Sequence, residues 1–174
     1  MAIFRIRRVG KLYMPLDLAL LLRGTIEREL PNLRGLTDGE AATVRGAPGS
    51  WSPKEELGHL IDSAANNHIR FVLASLNGEF RGGGYAQDEW VTAHGYQDLS
   101  WQDIIDTWYR YNSLLAHLIG RIPENRMQNL CAIGPTVETL RFVIEDYVLH
   151  MQHHLDHVLA RDSVTAYPAA RTEA

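Results

Sequence analysis

The sequence predicts an all-α protein, a four-helix bundle with long crossover loops. Four segments of helical length carry apolar residues at helical spacing, and Gly- and Pro-rich connections separate them. Between these segments we find no convincing run of alternating residues bounded by turns, so strands are not needed. Four helices of about 19 to 26 residues in one chain are typical of a four-helix bundle.

The first two helices are predicted from their apolar spacing and their start signals. The second helix begins after Ser52, an N-cap residue, with Pro53 at the first helical position and Glu55 completing a capping box. It runs to about Leu76, where an Asn-Gly pair breaks it. The first helix runs from about Pro15 to Leu33, with one apolar face made of Leu16, Ala19, Leu20, Ile26 and Leu30.

The third and fourth helices are bounded in the same way. The third begins after Ser100 as the cap and ends near Ile122, before a proline. The fourth begins after a Gly-Pro pair with Thr136 as the cap and continues to about Arg161. The long connections before the second and third helices have the length at which loops often carry function.

Domain organisation follows from length and composition. We expect residues 1–14 to be a lead-in segment, residues 15–162 to form a single domain, and residues 163–174 to be a tail. The lead-in is basic, but it is followed by neither the apolar stretch nor the small-residue cleavage site of a signal peptide. The sequence therefore predicts a cytoplasmic protein.

Charge, hydropathy and cysteine content exclude several classes of protein. With 17 basic and 21 acidic residues the net charge is −4, which argues against nucleic acid as a partner. The longest apolar run, Leu18 to Leu22, is far short of the roughly 20 residues that a membrane span needs. The single cysteine, Cys131, forms no internal disulfide, so a secreted disulfide scaffold is excluded, and no histidine lies within four residues of it to activate it as a nucleophile.

The fourth helix carries the unusual chemistry, in the segment HMQHHLDH that runs from His150 to His157. Histidines three or four residues apart share a helical face and can hold one metal ion together. If His150 defines 0°, the apolar face lies between about 20° and 100°, and His154 falls at about 40°. His157 falls at about −20° and stays undecided, while His153 falls at about −60° and is turned away. The pair His150 and His154 therefore faces the bundle interior best.

A fifth histidine, His59, lies on the second helix outside the apolar face. It shares a polar stripe with Ser63, Asn66 and Arg70, and Asp62 lies nearby. Spacing alone leaves two interpretations open, a hydrated cleft inside the bundle or the solvent side. For any one of these histidines, an ordinary core or surface side chain is the alternative.

Two motifs together resemble the DinB/YfiT-like superfamily of metal-binding four-helix-bundle proteins. They are WSPKEELGHLIDSA, which begins at Trp51, and DYVLHMQHHLDH, which begins at Asp146. The resemblance extends over roughly Leu16 to Leu159. It implies that His59, His150 and His154 bind a divalent metal ion, nickel or zinc foremost, with iron or manganese as alternatives.

The same resemblance implies a function. Three histidine ligands leave positions for water or substrate, as in catalytic metal sites. We therefore expect a metal-dependent hydrolase or thiol S-transferase that acts on a small-molecule substrate, with a low-molecular-weight thiol as a further substrate class, and that forms a homodimer. Asp62 and Arg70 are the candidate catalytic residues beside the ion. The alternatives are a non-catalytic, stress-related metal-binding bundle and a dimeric bundle without metal.

A second candidate pocket lies in the loop before the third helix. Trp90 stands there with Tyr85, His94 and Tyr96, a mixture of aromatic and polar side chains that suits a binding pocket. The other tryptophans fit core or cap packing.

Overall fold

The computed structural model describes residues 13–47, 49–162 and 167. The predicted lead-in, except for its last two residues, and the predicted tail, except for Tyr167, lie outside the described residues. The predicted domain bounds stay a prediction. Within the described part of the chain, no helix has the length and hydropathy needed to cross a membrane.

Four long helices form the bundle, which confirms the predicted fold class. α1 packs mainly against α5, and α3 packs against both α5 and α6. The core between them contains fully buried Trp108, Phe71 and Leu115. The helices are α1 (Pro15–Arg34), the short α2 (Asp38–Ala42), α3 (Pro53–Asn77), the short α4 (Gln87–His94), α5 (Trp101–Arg121) and α6 (Leu140–Val158).

The predicted start signals of α3 and α5 are confirmed. The Ser52 hydroxyl accepts a hydrogen bond from the Glu55 amide, and the Glu55 carboxylate accepts one from the Ser52 amide at 2.8 Å, which completes the capping box. Gly78, with a left-handed φ of +86°, ends α3. Ser100 caps α5 by accepting from the Asp103 amide.

The prediction that the fold needs no strands is wrong. A three-stranded sheet is formed by β1 (Glu79–Gly82), β2 (Leu130–Ile133) and β3 (Thr136–Thr139), with β2 in the centre. β1 pairs with β2 in parallel, and β2 pairs with β3 in antiparallel register. Each strand has four residues, which is too short for alternation to stand out from the surrounding loops.

The start of α6 is also corrected. Thr136 is not its cap but the first residue of β3, and Thr139 caps the helix by accepting from the Phe142 amide at 3.2 Å. Gly134, with a φ of +56°, begins the two-residue turn between β2 and β3, so the Gly-Pro pair makes a hairpin instead of a helix start. At its other end α6 stops at Val158, before Arg161.

The apolar face predicted for α1 is partly wrong. Leu16 and Leu20 are 60% and 58% exposed, whereas Leu18 and Leu22 are fully buried. Because this segment is apolar on two sides, helical spacing alone does not select the side that packs against α5.

Candidate metal centre

Three histidines from two neighbouring helices converge. One nitrogen of each of His59, on α3, and His150 and His154, on α6, lies within 4.8 Å of the corresponding nitrogens of the other two. His59 Nε2 and His150 Nε2 are 3.2 Å apart. The rings of His150 and His154, one helical turn apart, have centroids separated by 4.4 Å. Spacing left the position of His59 open, and the structure places it in the interior, 1% exposed.

The separation of these nitrogens fits a shared divalent ion. Nitrogens bound about 2.0–2.1 Å from a tetrahedral zinc ion lie roughly 3.3 Å from each other. The 3.2 Å between His59 Nε2 and His150 Nε2 is close to that value. Imidazole nitrogens suit zinc, nickel and iron, so the donor set is compatible with a transition-metal ion.

The protonation of the rings is also suitable for metal binding. Burial, together with the neighbouring His154, lowers the pKa of His59 to about 3. Burial and the same neighbour lower the pKa of His150 well below its usual value. Both rings are therefore neutral near pH 7, and neutral imidazole is the form that binds a metal ion.

Glu56 contacts His154 through the Nδ1 atom of the ring. Its Oε2 lies 2.5 Å from His154 Nδ1, and both side chains are largely buried. Since Nδ1 donates to the carboxylate, Nε2 is the nitrogen that remains for an ion. The sequence analysis missed Glu56, although its position three residues before His59 places it on the same side of α3.

The two remaining histidines of the HMQHHLDH segment lie outside the three-histidine cluster. His153 is partly buried, and its ring packs against His157, with centroids 4.3 Å apart, and against Tyr167. His157 is 45% exposed, and its Nδ1 lies 3.6 Å from Glu56 Oε1. The His157 ring also lies 5.8 Å from that of His154, and the ligand atoms of Glu56, His154 and His157 lie within 4.8 Å of one another. His157 thus adjoins the cluster through both Glu56 and His154.

Two aromatic rings cover His59. The Trp51 ring centroid lies 5.0 Å from that of His59, so this tryptophan contacts the cluster as well as the start of α3. The Tyr85 hydroxyl lies 3.5 Å from His59 Nδ1. Burial raises the pKa of Tyr85 to about 12, so the phenol is protonated near pH 7.

A cavity of about 310 Å³ opens beside the cluster. His59 and His150 lie in its wall together with Ser63, Asn67 and Arg70 of α3, while β2 and β3 supply another wall that includes Cys131. Burial raises the pKa of the Cys131 thiol to about 11, which keeps it protonated. A small molecule in this cavity would therefore lie against the histidines and the Arg70 side chain.

Arg70 brings a positive charge to this cavity. Its guanidinium donates to the Asn67 side-chain oxygen at 3.2 Å, and within the described part of the chain it makes no ion pair with a carboxylate. Burial lowers the pKa of Arg70, but a guanidinium stays charged at neutral pH. Arg70 thus has no ion-pair partner among the described residues, although Glu138 and Asp146 also line the cavity.

Asp62 does not join the histidine cluster. It is 2% exposed, its Oδ1 accepts from the Tyr96 hydroxyl at 2.7 Å, and the same oxygen lies 3.2 Å from His94 Nδ1. Burial raises the pKa of Asp62. Ser63 and Arg70 of the predicted polar stripe therefore line the histidine cavity, whereas Asp62, predicted near that stripe, lines a different one.

Comparison with known proteins adds two findings. The family model of the DinB superfamily matches residues 21–158. The solved structure of YfiT from Bacillus subtilis, described as a probable metal-dependent hydrolase with an unusual four-helix bundle topology, superposes with a TM-score of 0.76. The two sequences are 17% identical, and the match covers 90% of each chain. No curated protein matches by sequence.

Proposed function

The chain belongs to the DinB superfamily, and we propose that it is a metal-dependent enzyme that acts on a small molecule. In this proposal His59, His150 and His154 bind a divalent ion. The observation that carries it is the convergence of three histidine nitrogens within 4.8 Å beside a cavity large enough for a substrate. The description of YfiT as a probable metal-dependent hydrolase supports the same class of activity.

Nickel and zinc are the proposed ions, with iron and manganese as alternatives. Three neutral imidazoles suit nickel and zinc, whereas manganese prefers oxygen ligands. A divalent ion bound here supplies Lewis acidity, which makes water or a thiol a stronger nucleophile near pH 7. Glu56 would hold the His154 ring in the orientation that presents Nε2.

An enzyme is favoured over a purely structural metal site because of the cavity. Structural zinc sites have four protein ligands, whereas catalytic sites have three and keep a position open. The described residues offer three histidines, and the cavity of about 310 Å³ meets two of them. The non-catalytic alternative requires a fourth protein ligand and no bound small molecule.

Arg70 is proposed to bind an anionic group of the substrate. Its guanidinium lines the same cavity as His59 and lacks a carboxylate partner among the described residues. A carboxylate or phosphate group suits a guanidinium because both partners form paired hydrogen bonds. The catalytic role predicted for Asp62 stays a prediction, since its contacts are with Tyr96 and His94.

The experiment that tests this proposal combines metal analysis with activity screening. The purified full chain is loaded with nickel or zinc and assayed against ester and amide substrates, and then against an electrophile with a panel of cellular thiols. We expect turnover in one of the two assays, loss with chelator, and loss in His150→Ala. Hydrolysis without added thiol identifies a hydrolase, and thiol-dependent product identifies a transferase. Turnover that survives verified metal removal would contradict the proposal.

The assembly and location are part of the same proposal. We propose a cytoplasmic homodimer, in which part of the apolar surface of the bundle is covered by a second copy. Leu16 and Leu20, one helical turn apart on α1 and more than half exposed, are the apolar residues that we propose for the contact.

A further inference from the structure

A second cavity, of about 300 Å³, shares no lining residue with the one at the histidine cluster. It lies among α3, α4, α5 and the short 3-10 turn that contains Tyr96. Its charged or titratable lining residues are Asp62, His94 and Asp103, and the aromatic ones are Trp90 and Tyr96. Neither lysine nor arginine is among the described residues that line it.

Asp62 is the polar group of this cavity that lacks a full set of partners. Its Oδ1 accepts from Tyr96 and lies close to His94, but its Oδ2 is buried without a hydrogen-bond partner among the described residues. A buried carboxylate oxygen without a donor costs free energy, and such an atom in a native fold calls for an explanation. A ligand with a hydrogen-bond donor, bound in the adjoining cavity, would be the missing partner of Oδ2.

The remaining walls suit the body of an organic molecule. Trp90 lines the cavity and is 37% exposed, and its ring centroid lies 6.0 Å from that of His94. Apolar side chains complete the lining, with Ile61, Leu99 and Ile104 among them. The face of an indole ring attracts a cation, and apolar walls favour a hydrocarbon group.

The Tyr96 ring occupies space on α3 that is open only because residue 58 is a glycine. A Cβ atom added at Gly58 would lie 2.2 Å from the Tyr96 ring, so a side chain at this position of α3 is incompatible with the ring as it is placed. Tyr96 in turn donates to Asp62. The close approach of the Tyr96 ring to α3 therefore places its hydroxyl at the Asp62 carboxylate, in the wall of the cavity.

We propose that this second cavity binds a small organic cation, an ammonium group on an aromatic or aliphatic body, with the ammonium at the Asp62 carboxylate and the body against Trp90. Two carboxylates and two aromatic rings favour a cation, and none of the described lining residues is a lysine or arginine that would favour an anion. This proposal does not rest on the proposed metal chemistry.

The test uses benzylammonium as the probe and benzyl alcohol as a neutral molecule of similar size. Binding to the full chain is followed by NMR at the indole N–H of Trp90, which is assigned with Trp90→Phe. We expect saturable binding of benzylammonium and at least about tenfold weaker binding of benzyl alcohol, because only the cation forms a charge-assisted hydrogen bond with the carboxylate. Equal binding of both molecules, or no saturable binding, would overturn the proposal.

Variants locate the site. Asp62→Asn is expected to weaken benzylammonium binding by about tenfold or more, while Asp88→Asn, which removes an exposed carboxylate on α4 that does not line the cavity, leaves it unchanged. If Asp62→Asn fails to fold, Trp90→Leu provides the test. Because this variant has no indole at position 90, binding is then followed at the resonances of benzylammonium, and a loss of about threefold is expected since leucine lacks the aromatic face. Unchanged affinity in a folded Asp62→Asn or in Trp90→Leu would refute the assignment.

A chelator control separates this site from the metal centre, since an amine is also a metal ligand. Benzylammonium binding is measured with and without a chelator, and the same affinity is expected in both. Loss of binding with chelator would place the amine on the metal and overturn the proposal of a second site.

Discussion

The carboxylate of Glu56, on α3, lies 2.5 Å from Nδ1 of His154, on α6. This contact connects the two helices that hold the histidine cluster. A carboxylate that accepts from one imidazole nitrogen fixes the orientation of the ring and makes the other nitrogen a better ligand. This contact therefore acts on the cluster without being part of it.

Replacement of Glu56 should weaken metal binding. Loss of such a supporting carboxylate typically lowers metal affinity by about 10- to 100-fold, and we expect this for Glu56→Ala in a competition assay with a metal indicator. Glu56→Gln keeps a hydrogen-bond acceptor and should recover part of the affinity. Glu27→Gln, on the exposed side of α1, is the matched control and should bind like wild type. Wild-type affinity in Glu56→Ala would show that the carboxylate does not position His154.

The histidines should differ in their contribution to metal binding. His59→Ala, His150→Ala and His154→Ala each remove one nitrogen of the cluster and should reduce the metal content of the purified protein sharply. His153→Ala should retain it, because His153 is not among the three histidines whose nitrogens converge. Elemental analysis of the four variants makes the comparison. Equal loss in all four would mean that the cluster does not bind the ion.

The sequence predicted the four long helices well because their signals are local. The capping box between Ser52 and Glu55 and the cap at Ser100 depend on residues only three apart. β1 was missed because its pairing is not local: Phe80 lies opposite Cys131 of β2, and α4 and α5 lie between them in the chain. β2 and β3 pair locally, but the Gly-Pro pair of their turn was interpreted as the start of a helix. Four-residue strands depend on such partners, and a single sequence does not show them.

The candidate site was predicted unevenly for a related reason. The His150 and His154 pair follows from helical spacing, but the partner His59 needed the family resemblance, since its own helix left two orientations open. Arg70 lies on the predicted stripe and Asp62 was predicted near it, yet the two residues face different cavities because α4 and the Tyr96 turn cover one side of α3. The cavity that each residue faces is therefore decided by the packing of α4 and the Tyr96 turn against α3, which the spacing within α3 does not show.

Arg70 should bind anions in the cavity beside the cluster. Benzoate is titrated calorimetrically into the metal-loaded chain, and Arg70→Gln should weaken its binding by about tenfold or more, because a charge-assisted pair with a half-buried guanidinium is lost. Metal content should stay unchanged, since Arg70 is not among the clustered histidines. Arg110→Gln, at an exposed position of α5, is the control for loss of one positive charge. Equal benzoate affinity in Arg70→Gln and Arg110→Gln would remove Arg70 from the proposed site.

The proposed dimer has a simple signature in light scattering. A dimer has twice the 19.7 kDa mass of one chain. If the exposed leucines of α1 lie in the interface, Leu16→Glu with Leu20→Glu should shift the particle to the monomer mass, because charges replace apolar side chains that are more than half exposed in one chain. Wild-type protein that scatters as a monomer at micromolar concentration would contradict the dimer.

Burial of Asp62 should make stability depend on pH in a direction opposite to that of most carboxylates. Burial raises the pKa of Asp62 above its usual value of 3.8, so the folded protein holds this proton at pH values where the unfolded chain has released it. As pH rises from 3.8 through the raised folded-state pKa, the carboxyl group therefore reduces the free energy of unfolding. The slope from one such proton is at most about 1.4 kcal/mol per pH unit.

Asp62→Asn should remove this contribution, since an amide does not titrate. Urea unfolding of both proteins, measured with chelator at several pH values from 4 to 7, should show the stability of Asp62→Asn rising relative to wild type as pH increases. The difference should level off above the folded-state pKa, because the carboxyl group is then ionised in both states. Asp88→Asn removes an exposed carboxylate and should run parallel to wild type over this range. Parallel curves for Asp62→Asn as well would show that burial does not raise the pKa of Asp62 in the folded protein.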